Sequence, residues 1–370
     1  HNTRGYNASL FQRCGRDAAA CLKAVEESAL QGEPTGGEEG GPHVPGEAKT
    51  RFVGSRFKLL HGAQMAKWKL EQWEQCAEGK PSKVTPRMQK KDVTAAVEKL
   101  IEAFGAKYGK TKEECEAYLE ELDQVALKEN KLEDIAVRLW TSTKQLGGRE
   151  LCSIINEGLR SEGGWDDSGH WKEDPMQPPA VLLACLIQVH LNRRRRGFED
   201  GPWPSGQTEG VNESEPNCVW RGTGLPEDPE EAEKVLQFYE SLANPSCTGQ
   251  PYRVSGLLAT SMFKGVSRGF LSMEDRIPRD RPKVIYKVML CVDHEGKPDN
   301  TLKPLHLAFL RKTEAQGEYE FLFSAFSAFR VHSVKRSSKP ASAARPHEII
   351  LVACYDNADE LQDAPTAPWH

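Results

Sequence analysis

Arg221, Ser261 and the pair Glu318 and Glu320 are the side chains whose types and spacing could do chemistry in this 370-residue chain. Arg221 ends the apolar run Cys218 to Arg221 and is followed at once by Gly222, Thr223 and Gly224. A guanidinium is a planar fork of donors suited to phosphate oxygens, and a neighbouring glycine lets a ligand come close to the backbone. An arginine in a surface ion pair beside a turn has the same local look. Ser261 lies in Ala259-Thr260-Ser261-Met262-Phe263, ahead of Gly269-Phe270. There a hydroxyl is also an ordinary helix N-cap, and Phe263 and Phe270 are either core residues or rings that stack on a flat heterocycle. Glu318 and Glu320 stand two apart at the head of a strand-like run, so their carboxylates would share one face. Paired like charges suit general-base or cation-stabilising work, whereas a solvated hairpin edge carries acids for other reasons.

Taken in order, Arg on one strand, Ser on a second and Glu-x-Glu on a later one, the set resembles the R-S-E class of mono-ADP-ribosyltransferases over about residues 130–356. Further stretches are similar to that family. Arg149 to Arg160 resembles the helix before its first catalytic strand. Glu320-Phe321-Leu322-Phe323 with Phe329-Arg330-Val331 resembles its catalytic strand and return, and His347 to Leu351, ending in Asp356-Asn357, its last strand. The chain departs from the pattern in two places. The family's Ser-Thr-Ser is Ala259-Thr260-Ser261 here, and Ser324-Ala325 stands where a proline pair is often found. The serine role falls to Ser261, with Ser255 as the alternative.

The resemblance implies NAD as co-substrate, no metal, and a catalytic set of Glu320, Glu318, Ser261 and Arg221. Glu320 would stabilise an oxocarbenium-like ribose. Ser261 would hydrogen-bond Glu320 and aim it, and Arg221 would grip the phosphates or the adjoining ribose. Arg221, Gly222, Thr223, Ser261, Phe263 and Phe270 would together line the NAD site. In the family, a Glu two residues before the catalytic Glu accompanies transfer to arginine, so Glu318 implies a protein acceptor with an exposed arginine. The segment from Arg311 to Gly317 would touch that protein. Two alternatives stay open: an NAD glycohydrolase, which passes ADP-ribose to water, and an inactive member that binds NAD or a protein.

These residues need a scaffold, and the composition bounds it. With 49 basic and 54 acidic residues the formal charge is −5, so no global field favours nucleic acid as a partner. The longest apolar stretch, Pro179 to Leu191, falls short of the roughly 20 residues of a bilayer helix, so no membrane span is expected. Ten scattered cysteines form no C-x-x-C pair, against a zinc cluster. The chain opens on His1 without a signal-peptide pattern, as a truncated or processed sequence would. The compartment stays open.

The expected fold class is α+β, a mixed two-sheet ADP-ribosyltransferase-like catalytic domain behind an all-helical N-terminal region. Residues 32–48 are rich in Gly, Pro and Glu and read as a linker. The resulting plan is an arm and linker over 1–56, a helical region over 57–128, the catalytic domain over 129–356 and a tail over 357–370. Helical spacing runs through Val93, Val97, Leu100, Ile101 and Phe104, then through Tyr118, Leu119, Leu122 and Val125. This region carries no catalytic signature and is assigned to binding a protein partner by default. After Pro202 the period changes to short runs of Val, Ile, Phe and Tyr, interrupted by helices at Glu230 to Leu242 and Ser261 to Phe270. Four arginines, Arg193 to Arg196, read as the cationic end of the preceding helix rather than an import signal.

Overall fold

A computed structural model describes residues 89–161, 164–165, 171–172, 174–194, 217–273, 277–290, 307–310, 319–338, 341–354 and 364–367. The arm, the linker, Trp68, Trp73, residues 195–196 and Glu318 lie outside the described residues, as does the stretch 311–318. The chain divides into two compact units, one of residues 1–135 and 144–186, the other of 136–143 and 187–370.

The described part of the first unit is mainly helical. Helix α1 (Lys90–Tyr108) buries Val93, Val97, Leu100, Ile101 and Phe104, the stripe expected from their spacing. Gly109 ends it in the left-handed region at φ 62°, which a glycine adopts without steric cost. Helix α2 (Lys112–Leu122) opens on a capping box. The Thr111 hydroxyl accepts from the Glu114 N–H at 3.2 Å, and the Glu114 carboxylate accepts from the Thr111 N–H at 2.8 Å. A π-helical turn, Asp123–Leu127, follows it, and α3 (Leu132–Trp140) passes into the second unit from Ala136 on, so that Trp140 belongs to the second unit. Short hairpins β1 (Gln145–Leu146) with β2 (Arg149–Glu150) and β3 (Gly164–Trp165) with β4 (Trp171–Lys172) flank α4 (Leu151–Arg160), and α5 (Gln177–Arg194) follows. Glu157 on α4 joins this unit together. It accepts hydrogen bonds from the Tyr108 hydroxyl and from Arg149, and pairs with Lys107 Nζ at 2.9 Å. Burial pushes the Glu157 carboxyl up, but its bonds to Tyr108 and Lys107 and the charges of Lys107 and Arg149 hold it below its usual range.

The second unit is built on a mixed sheet, so the molecule is α+β as its sequence implies. Its strands are β5 (Cys218–Gly224), β6 (Tyr252–Val254), β7 (Leu258–Ser261), β8 (Lys283–Met289), β9 (Leu307–Phe309), β10 (Glu320–Phe323), β11 (Ser327–Lys335) and β12 (His347–Ala353). Among the described residues they form eight strands in the order β6-β11-β12-β8-β5-β7-β10-β9. Only β12 and β8 run parallel there. The sheet has a seam: β5 and β8 pair over their full lengths, but β5 and β7 meet in register at Trp220 and Ser261 alone. Five strands therefore lie on one side of the seam and three on the other.

Helix α6 (Pro229–Leu242) covers one face. Asp228 caps it by accepting from the Glu230 N–H at 2.9 Å, with Pro229 in its first turn. Its Val235, Leu236 and Tyr239 pack with Val219, Tyr252, Tyr286, Phe321, Phe323 and Phe329 in the main core. The opposite face is covered at β5 by α7 (Lys264–Leu271), where Trp220, Leu271, Ile277 and Ile285 make a smaller cluster. The outer strand β6 does not end bare. Arg253 N–H donates to the carbonyl of Pro365 and Arg253 C=O accepts from Ala367 N–H, both at 2.8 Å.

The structure differs from the sequence reading around Ser261. A helix was expected to start there, but Ser261 is the last residue of β7 and the helix begins at Lys264. The reason is pairing. The backbone of Ser261 lies opposite Trp220 on one side and Glu320 on the other, so it is held extended. Its hydroxyl closes a local turn just ahead of the helix, accepting from the Phe263 N–H at 3.1 Å. Strand β6, three residues long, gave no periodicity to read.

Candidate active site

Cross-strand partners project to the same face of a sheet. The register Lys287↔Trp220, Trp220↔Ser261 and Ser261↔Glu320 therefore lays a cation, an indole, a hydroxyl and a carboxylate side by side over β8, β5, β7 and β10. Strands are about 4.8 Å apart, so the row is about 14 Å long. Ser261 and Glu320 are 5% and 7% exposed, and a buried carboxylate needs donors around it. One of those donors is the indole of Trp140, whose Nε1–H reaches Glu320 Oε1 at 2.8 Å. The sequence reading missed Trp140 because its apolar spacing marks it as core, and a contact 180 residues long has no local signature.

Arg221 is not in this row. It follows Trp220, so strand alternation turns it the other way, and its register partner is Tyr286. Its charge acts on the buried Tyr239, whose phenol burial pushes far up. The guanidinium nevertheless crosses the seam. Nη1 donates to the carbonyl of Ala259 at 2.8 Å, two residues before Ser261, at a point where the register pairing of β5 with β7 has stopped. Arg221 thus holds β7 against β5 next to the row.

Gly222 has a packing role. A Cβ there would run into the carbonyl oxygen of Ser267 and lie 2.9 Å from Leu271 Cγ. The room that a side chain would take at Gly222 is filled by α7. Thr223 continues β5, half-buried. Phe263 is buried at the start of α7, and Phe270 is half-buried further along it. The Phe263 ring meets Tyr319 edge-on, centroids 4.7 Å apart at 86°. Tyr319 is 47% exposed and has φ 46°, a strained value for a bulky side chain, immediately before Glu320. Ser255, the alternative serine, is buried after β6.

Positive charge gathers where the row passes Trp220. Lys264 Nζ lies 4.4 Å and Lys287 Nζ 5.4 Å from the centre of its ring. Among the described residues no group of three or more His, Cys, Asp or Glu could hold a metal ion, and no helix is long and apolar enough to cross a membrane.

No protein-family model matches the chain, and no curated protein matches it significantly. Solved structures similar to it include two ADP-ribosyltransferases and a third protein solved with NAD. The Vis toxin, an ADP-ribosyltransferase from Vibrio splendidus, is 14% identical with a TM-score of 0.33, the match covering 73% of this chain and 88% of that one. The ADP-ribosyltransferase HopU1 of Pseudomonas syringae pv. Tomato is 14% identical with a TM-score of 0.35, over 60% and 76%. C3stau2 from S. aureus, solved with NAD, is 16% identical with a TM-score of 0.33, over 64% and 92%.

Proposed function

We propose that the chain is a mono-ADP-ribosyltransferase that moves ADP-ribose from NAD to an arginine of a protein acceptor and releases nicotinamide. The observation that carries this reading is the register pair Ser261↔Glu320, a hydroxyl and a buried carboxylate held side by side on adjacent strands. The reaction breaks the bond between ribose C1′ and the nicotinamide nitrogen, whose electron pair leaves with the ring. Positive charge then spreads over C1′ and the ring oxygen of the ribose. Glu320 opposes that charge from a fixed position in a water-poor site, where a carboxylate acts more strongly than in water. Ser261 keeps Glu320 aimed. Lys264 and Lys287, at the other end of the row, add positive charge suited to the pyrophosphate, while Arg221, by holding the carbonyl of Ala259, fixes β7 beside Ser261. The guanidino nitrogen of the acceptor forms the new bond to C1′ and passes its proton to Glu318.

The test is NAD consumption by the wild type and by Glu320→Ala, with and without free arginine, following nicotinamide and ADP-ribosylated product together. Product that depends on Glu320 supports the transferase. Nicotinamide without product moves the assignment to a glycohydrolase, and no turnover in either protein overturns the enzymatic reading.

A further inference from the structure

Glu320 is buried, and the donor it meets from α3 carries no charge. That choice has a chemical consequence. An arginine or lysine at the same place would satisfy the carboxylate and also cancel its field, leaving little to act on a developing cation. An indole N–H is a donor only, with no acceptor site and no ionisation of its own in the working pH range. It can orient the carboxylate and favour its ionised form without neutralising it. Trp140 is itself buried at 4% exposure, so the hydrogen bond is shielded from water competition. Among the described residues, Lys287, two strands beyond Ser261, and Lys264 of α7 are set against the Trp220 ring, and Lys283, Glu348, Lys335 and Arg330 share the sheet face by register on β8, β12 and β11. Glu318 lies two residues before Glu320 in the chain.

We infer that Trp140 is a positioning residue for Glu320, a neutral donor that holds the carboxylate in its reactive orientation while leaving its charge intact; this rests on the transferase reading above. The contact itself can be tested without any activity. Of the eight tryptophans, one indole Nε1–H resonance should move with pH in the wild type and cease to do so in Glu320→Gln. If none responds to Glu320→Gln, the inference falls. In turnover, Trp140→Phe keeps an aromatic ring but removes the donor. It should lower kcat for NAD cleavage by about ten- to a hundred-fold, the cost of one hydrogen bond to a charged group, with KM for NAD within about two-fold. A change confined to thermal stability, or to KM, makes the role structural and overturns the inference. Should Trp140→Phe not fold, the wild type alone decides. The pH midpoint of the responsive indole should coincide with the acid limb of kcat, and two separate midpoints refute the link. If the indole responds but the wild type never cleaves NAD, the transferase reading fails and the catalytic role of Trp140 fails with it, while the contact stands.

Discussion

Ser261 and Glu320 face each other as register partners at the open ends of β7 and β10, the hydroxyl ending one strand where the carboxylate begins the next. Both are buried, and the same Ser261 hydroxyl accepts the Phe263 N–H that leads into α7. Ser261 therefore connects the carboxylate to the helix packed over β5. Glu320→Gln keeps shape and removes charge, so it should lower NAD cleavage by about two to three orders of magnitude with little loss of stability. Ser261→Ala should cost activity and also about 1 kcal/mol of stability through the lost hydrogen bond from the Phe263 N–H. Nicotinamide release and urea unfolding on the two variants separate these effects.

In the proposed reaction Glu318 acts on the acceptor rather than on NAD. The Glu318→Gln variant should retain nicotinamide release within a few-fold and lose transfer to free arginine. Unchanged transfer would remove Glu318 from the role proposed for it. Product analysis by mass spectrometry reads both outcomes in one assay.

Gly222 is where β5 and α7 come closest. Because a Cβ there meets the Ser267 carbonyl, a backbone group that cannot yield without moving the helix, and crowds the Leu271 side chain, Gly222→Ala should destabilise the second unit by about 1–3 kcal/mol. A denaturant midpoint unchanged from the wild type would show that the helix gives way freely.

Arg336 clamps α6 to the end of β11. It donates to Glu240 Oε1 at 2.6 Å and Oε2 at 2.8 Å, and to Glu233 Oε2 at 2.7 Å and Oε1 at 2.8 Å. Hydrogen bonds from Arg336 hold the Glu233 carboxyl at about 2 and Glu240 below its usual range. A depressed carboxylate stabilises the folded state above its unfolded value, near 4.3, and that contribution disappears as pH falls through the folded value. Arg336→Ala should thus lower the thermal midpoint by a few degrees at most at pH 7, since the groups are solvent-exposed, and the difference should close between about pH 4 and pH 2. Added salt should shrink it at pH 7.

Glu157 should behave differently, being more enclosed. Removing it leaves Tyr108, Lys107 and Arg149 without their shared acceptor, so Glu157→Ala should destabilise the first unit by about 1–2 kcal/mol. Glu157→Gln, which keeps an acceptor, should recover part of that loss in the same thermal scan.

The sequence by itself determined the elements that depend on neighbours in the chain. The stripe from Val93 to Phe104 and the helix over Glu230 to Leu242 appear where their spacing places them, and the box of Thr111 and Glu114 and the Asp228-Pro229 start of α6, which the sequence reading did not use, are local chemistry of the same kind. The α+β class followed from the change of period after Pro202, and Glu320 was legible as a candidate from its place at a strand start. What only the tertiary structure decided was everything that depends on register. Alternation along β5 gives Trp220 to the row and turns Arg221 away from it, and a slip of one residue would have reversed the two. The space beside Gly222 could be assigned to a helix only once α7 lay on it. Trp140 was indistinguishable from core because burial and hydrogen bonding to a residue 180 positions away leave no trace in the residues around it. Spacing along a chain encodes which face a side chain takes within its own element, whereas the partner it meets across elements is set by how those elements pack.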